Sequence, residues 1–103
     1  MTHTVTHTIA VDQVFAALAD TRRRQLLELL GTEGPKSASE LARHWDISRQ
    51  AIAKHLAILE AAALVHRIRS GREVMFVVDA NQLSATGRWM QRIAQRWQVP
   101  QSS

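Results

Sequence analysis

Residues 45–65, WDISRQAIAKHLAILEAAALV, decide the fold. Ser48 offers a hydroxyl to the first unpaired amides of a helix, and no Gly or Pro follows, so the stretch predicts a helix from about Ser48 to Ala62. Ile52, Leu56 and Leu59 recur at i, i+4 and i+7, an apolar stripe that must turn inward. Arg49, Gln50, Ala53, Lys54 and Ala57 share the opposite side. That face is basic, amide-bearing and otherwise small. It can approach a DNA major groove, where Gln pairs bidentately with adenine, Arg with guanine, and Lys reaches guanine or a phosphate. A solvated helix face has the same composition, so the neighbouring segments must decide between the two.

Upstream, Ser37 and Glu40 have capping-box spacing, and Leu41, Ala42 and Trp45 give the short helix after them an apolar side. Asp46 and Ile47 leave room only for a tight turn into Ser48, which is the pattern of a helix-turn-helix. Downstream the period changes. Val65 to Arg69 alternates, Ser70-Gly71 marks a turn, and Glu73 to Val78 is a second strand-like run, together a β-hairpin. Its tip bears Arg69 and Arg72, with Arg67 on the approach, while Ile68, Val74, Phe76 and Val78 are expected to pack on the helices. A basic hairpin in this position can hold the DNA backbone or reach a minor groove, whereas a purely structural hairpin would only cover the core.

Charge follows the same map. The chain of 103 residues has a formal net charge of +4 and a pI near 11.1. Between Ser48 and Arg72 the basic residues are Arg49, Lys54, Arg67, Arg69 and Arg72 and the only acid is Glu60, so the whole formal excess falls there. A polyanion-binding surface requires that concentration; a neutral salt-bridged domain does not.

The flanks read as scaffold. Residues 1–8 form a polar tail whose His3 and His7 make a poor metal site without a third ligand. From Ile9 to Ala19, Val11, Val14, Phe15 and Leu18 recur at helical spacing. Asp20 and Thr21 supply N-cap chemistry for a second helix through Leu30, with Leu26, Leu27, Leu29 and Leu30 inward. Arg22, Arg23 and Arg24 at its start oppose the macrodipole, and a partner carboxylate is expected to offset them. Gly31 to Lys36 reads as a loop closing that helix. Asp79 to Asn81 caps a last helix from about Gln82 to Trp97, where Leu83, Trp89, Met90, Ile93 and Trp97 line one side and Arg88, Arg92 and Arg96 the other. So large a stripe on a small domain is expected to pair with the first helix of a second copy, making a symmetric dimer. Its expected interface is Val11, Val14, Phe15, Trp89, Met90, Ile93 and Trp97.

With 46% hydrophobic residues the chain is expected to fold as one domain. Residues 1–8 are the N-terminal tail, 9–79 the core, 80–97 the dimerisation helix and 98–103 the C-terminal tail. The absence of Cys removes disulfide, zinc-thiolate and redox-thiol chemistry. No signal peptide or membrane span is apparent, which points to the cytoplasm and to no membrane partner. There is no Tyr, Gly-rich phosphate loop, metal-ligand triad or paired acidic motif, so nothing suggests an enzyme or a cofactor.

The order helix, helix, helix-turn-helix, basic hairpin, helix resembles the winged helix-turn-helix repressors of the ArsR/SmtB family over about residues 9–97. VFAALADTRRRQLLELL (14–30) resembles the family's opening, SELARHWDISRQAIAKHLAILEAAALV (39–65) its helix-turn-helix, and SGREVMFVVDANQL (70–83) its wing and the start of its last helix. The resemblance implies a mainly α fold with a small antiparallel β-hairpin, terminal helices that dimerise, and a regulator, commonly a repressor, that binds a palindromic operator in double-stranded DNA. The candidate DNA-binding residues are Ser48, Arg49, Gln50, Ala53, Lys54, Arg67, Arg69 and Arg72. Two departures are present. Many relatives carry Pro-Thr after the Asp matching Asp20, where this chain has Thr21-Arg22. Metal-sensing relatives use Cys pairs before the recognition helix, or Asp, His and Glu on the last helix. Here neither set exists, and His44, His55 and His66 do not match the family's metal positions. His55, beside the inward stripe, is expected to pack or hydrogen-bond. The chain is therefore most similar to the metal-independent, often autorepressing branch, with no effector named by its residues. The competing expectations are a winged-helix module for protein or RNA contacts and a regulator with an atypical His-based metal site.

Overall fold

The computed structural model describes residues 11–97. The expected tails at 1–8 and 98–103, the His3/His7 pair and the Ile9 start of the first helix lie outside them. Residues 11–18 are helical (α1), followed by α2 (Thr21–Glu33), β1 (Lys36–Ser37), α3 (Ala38–Trp45), α4 (Arg49–Ala61), β2 (Val65–Ser70), β3 (Glu73–Val78) and α5 (Ala80–Trp97). The three strands form an antiparallel sheet in the order β1-β3-β2.

One core joins these elements. Val14 and Ala17 of α1, Leu26 and Leu30 of α2, Leu41 of α3, and Ile52, Leu56 and Leu59 of α4 meet Leu64, Val65 and Phe76 from the sheet side. Ile52 and Leu59 are 0% exposed, so the stripe read from the spacing of α4 is the buried one. Each such side chain contributes roughly 1.5–3 kcal/mol by leaving water, which fixes which face of α4 remains outside.

The helix boundaries depart from the sequence reading in one place. The second helix does not close at Gly31 but continues to Glu33, and Gly34 ends it at φ 89°, its amide donating to the Leu30 carbonyl. Left-handed backbone is the state glycine adopts without a Cβ penalty, so the stop falls at the glycine that can use it. The sheet likewise holds more than the expected hairpin. Lys36 pairs with Phe76 and Ser37 with Met75, adding β1 on the far side of β3. Ser37 is also the N-cap of α3: its Oγ accepts from the Glu40 amide at 3.1 Å, and Glu40 Oε1 accepts from the Ser37 amide at 2.9 Å. One buried serine thus ties the wing's central strand to the first helix of the helix-turn-helix.

Register corrects the expected packing face of the hairpin. Arg67 lies opposite Phe76 and Arg69 opposite Val74, whereas Ile68 lies opposite Met75. Because side chains alternate between faces, Ile68 points away from Phe76, and it is 39% exposed. Phe76 is buried and Val74 and Val78 pack against the core, as the alternation predicts.

The three arginines of α2 find a different solution from the acidic partner expected. Asp20 caps the helix, its Oδ1 accepting from the Arg22 and Arg23 amides at 2.8 and 3.2 Å, and Arg23 lies 3.9 Å from its Oδ2. Those amide bonds, the Arg23 amide foremost, hold the Asp20 carboxyl below its ordinary pKa. The side chains mostly reach back to the end of α1: Arg23 donates to the Ala17 and Ala16 carbonyls, and Arg24 to that of Leu18. Cations are stabilised at a helix C-terminus, so α1 supplies what α2's own dipole denies them.

Candidate nucleic-acid interface

The outward face of α4 is held open by its two ends. Ser48 Oγ accepts from the Ala51 amide at 3.0 Å and starts the helix. Before it, Asp46 takes a left-handed conformation at φ 53°, and the Ile47 amide donates to the Ala42 carbonyl, closing the turn from α3. After α4, Ala63 is left-handed at φ 60°, and the Leu64 amide donates to the Leu59 carbonyl at 3.0 Å. Two tight turns therefore leave Arg49, Gln50, Ala53, Lys54 and Ala57 exposed along one side, with no loop folded over them.

Between this face and the hairpin lies a cleft of about 400 Å³. Arg49, Ala53 and Ala57 of α4, Ser39 at the start of α3, and Arg67, Arg72 and Glu73 of the hairpin line it, over a floor that includes Leu56, Val74 and Phe76. It is open, basic at its rim and apolar at its base. Small side chains on α4 and a cationic wing beside it allow a phosphate backbone to come close.

Residues 18–68 match a helix-turn-helix domain family. Over 80 residues the chain is 32% identical to the transcriptional repressor SdpR of Bacillus subtilis (strain 168), covering 78% of this chain and 88% of that relative. Among solved structures, an ArsR-like transcriptional regulator from Rhodococcus sp. RHA1 superposes with a TM-score of 0.81 at 41% identity, covering 87% of this chain and 84% of the other. The chain belongs to the ArsR family of winged helix-turn-helix transcriptional regulators. At 21% identity and a TM-score of 0.71, a Mycobacterium bovis protein described as a homodimeric winged helix-turn-helix DNA-binding domain shares the same fold, covering 96% of this chain and 91% of its own. This ArsR-family chain is thus a DNA-binding regulator of transcription, a class whose members are not enzymes. α4 is its recognition helix and β2–β3 its wing.

Within this regulator the sequence-predicted residues separate into groups. Arg49, Gln50, Ala53, Lys54, Arg69 and Arg72 are exposed on α4 and the wing. Ser48 is exposed but its hydroxyl is engaged as the cap. Arg67 is not a free cation. Its Nε and Nη2 donate to Glu60 Oε2 and Oε1 at 2.9 and 3.1 Å, and its guanidinium stands 5.6 Å over the Phe76 ring. The hydrogen bond to Glu60, followed by that carboxylate's charge, raises the Arg67 pKa above its ordinary range. Sequence reading counted Glu60 only as an opposing charge; its partner lies seven residues on, across a helix-to-strand turn. Glu73 in the cleft was also missed, because it lies one residue outside the basic window.

The expected dimer stripe divides as well. Val14 is 0% exposed and Val11 4%, so both are already used within the chain and present little surface to a partner. Phe15, Met90 and Trp97 are 39%, 47% and 76% exposed, and Trp89 meets Phe15 edge to face at 5.8 Å between ring centres. Of the 18 residues of α5 only Thr86 is buried. Among the described residues no helix is long and apolar enough to cross a membrane, and no group of three or more His, Asp or Glu gathers where a metal could be held. His55 Nδ1 faces Arg23 Nη1 at 3.4 Å, and His66 Nδ1 lies 3.8 Å from Asp79 Oδ2.

Proposed function

We propose that this ArsR-family chain is a cytoplasmic, metal-independent repressor that binds an inverted-repeat operator as a homodimer. The observation that carries the proposal is the uncovered apolar stripe of Phe15, Met90 and Trp97. Large apolar side chains left in water on the terminal helices are the surface an isologous interface would cover. Two recognition helices reach successive major grooves only when a dimer sets them about one DNA turn, roughly 34 Å, apart. The M. bovis relative is described as homodimeric and the B. subtilis relative as a repressor, which favours both parts of the reading. Metal independence follows from donor chemistry: the chain has no Cys, and α5 has no His, Asp or Glu.

Binding of the purified chain to a duplex covering its own gene's upstream region, with excess competitor DNA, tests the operator. Sedimentation of Met90→Ala tests the dimer. The proposal expects competitor-resistant binding by the wild type, and a lower sedimenting mass with weaker palindrome binding for Met90→Ala at unchanged helical circular dichroism. A wild-type monomer that still binds the palindrome tightly would refute the dimer. Equal binding to any duplex, or a preference for RNA or a protein partner, would instead favour a general winged-helix contact module. Operator affinity that shifts more than about twofold with micromolar zinc, nickel or cadmium would refute metal independence.

A further inference from the structure

Glu60 is the one acidic side chain in α4, the helix turned toward a polyanion. On charge alone it opposes binding. Its geometry gives it another role. Both carboxylate oxygens are taken by Arg67, through parallel bonds of 2.9 and 3.1 Å. A bidentate pair fixes orientation as well as distance, which a single point contact does not. The guanidinium is seated at the same time over Phe76, and Phe76 is the fully buried residue of β3, locked into the core and paired with both Lys36 and Arg67. Beyond this level the hairpin runs out through residues 68–73, all of them exposed, to the tip where Arg69 and Arg72 sit. The last core-anchored point of the wing is therefore also the point at which it is tied to the last turn of the recognition helix.

We propose that the Glu60–Arg67 pair, seated on Phe76, is a strut that sets the wing relative to the recognition helix, so that Glu60 and Arg67 are positioning residues for DNA binding and not DNA contacts. The proposal reverses the sign expected for Glu60. Removing a negative charge near DNA strengthens binding by simple electrostatics, whereas loss of the strut weakens it. It also separates Arg67 from Arg72. A cation that neutralises a phosphate contributes to the salt dependence of binding, and a cation committed to a carboxylate does not.

The test combines a DNA arm with a DNA-free arm. Titrations of the upstream-region duplex compare wild type with Glu60→Gln, Arg67→Gln and the swapped pair Glu60→Arg/Arg67→Glu. Loss of the strut predicts binding roughly two- to fivefold weaker in both single variants, the range an exposed ion pair supports, with the salt slope of wild type retained. The swap recovers part of the loss. Because the chain has no Cys, spin labels placed at Ala61→Cys and Ser70→Cys, both exposed, report the helix-to-wing distance without DNA. The distribution is narrow in the wild-type background and broad in Glu60→Gln. Circular dichroism and melting confirm that the variants fold. Unchanged or tighter DNA binding by Glu60→Gln overturns the proposal whatever the labels do. So does a salt slope that falls in Arg67→Gln, which would make Arg67 a phosphate contact. A wild type without preference for the upstream duplex would count against the operator reading, and the label distances alone then decide on the strut.

Discussion

Replacing Arg72 by Ala asks directly what the wing does. Arg72 is exposed beside the Ser70-Gly71 turn and lines the cleft shared with α4, and among the described residues no carboxylate lies within ion-pairing distance of it. Each phosphate neutralised by a basic side chain contributes about 0.9 to the slope of log affinity against log salt. A dimer presents two copies, so the variant should bind with a slope shallower by about 1.8. Over a fourfold range, from about 50 to about 200 mM salt, the wild type's advantage should shrink about twelvefold. Fluorescence anisotropy titrations of the labelled upstream duplex at four salt concentrations measure both quantities. Parallel salt lines for wild type and Arg72→Ala would refute the reasoning, because they would mean that the side chain meets no phosphate. A slope change of about 0.9 would keep the contact but remove the dimer.

The other predictions probe the recognition face and the scaffold beneath it. Gln50→Ala should reduce preference for the upstream duplex over a shuffled one by about 1–3 kcal/mol while leaving the salt slope alone, as competition gel shifts would register; equal loss on both duplexes would mean that Gln50 reads no base. Ala63→Gly should stabilise the fold by about 0.5–1 kcal/mol in urea melts, since a left-handed Ala is strained and a left-handed Gly is not, partly offset by the greater freedom of Gly in the unfolded chain. The amide of Ser37 foremost, then the nearby charge of Lys36, holds the Glu40 carboxyl below its ordinary 4.5. The stability this contributes is therefore complete above that value and is lost as pH falls through the lower folded one. Glu40→Gln keeps an acceptor for the Ser37 amide without titrating, so its melting temperature should change less than that of wild type between about pH 5 and about pH 3.

What could be read from the sequence was local. The spacing of Ile52, Leu56 and Leu59 determines one buried face, and that face is the one found. Ser37 with Glu40 and Ser48 before Arg49 announce caps because cap chemistry spans only three residues. β1 could not be read, since Lys36 and Ser37 have no alternation of their own and become a strand only by pairing with residues forty positions away. The facing of Ile68 was misread because register, not hydrophobicity, decides which of two alternating rows meets the helices. Arg67 looked like the other basic residues of the hairpin; only the turn at Ala63, which brings β2 back beside α4, gives it Glu60. Val14 and Phe15 are adjacent in sequence yet have opposite fates, one in the core and one on the surface, because a helical step of one residue turns the side chain by about 100°.

Selection of bound sequences from a random pool of duplex DNA tests most directly the claim that α4 reads bases from within a symmetric dimer. The account predicts enrichment of an inverted repeat whose half-site centres lie about one helical turn, roughly 34 Å, apart or a multiple of that. Substituting Gln50 should relax the motif at one position in each half. Recovery of no motif, or of a single unrepeated site bound by one chain, would contradict it.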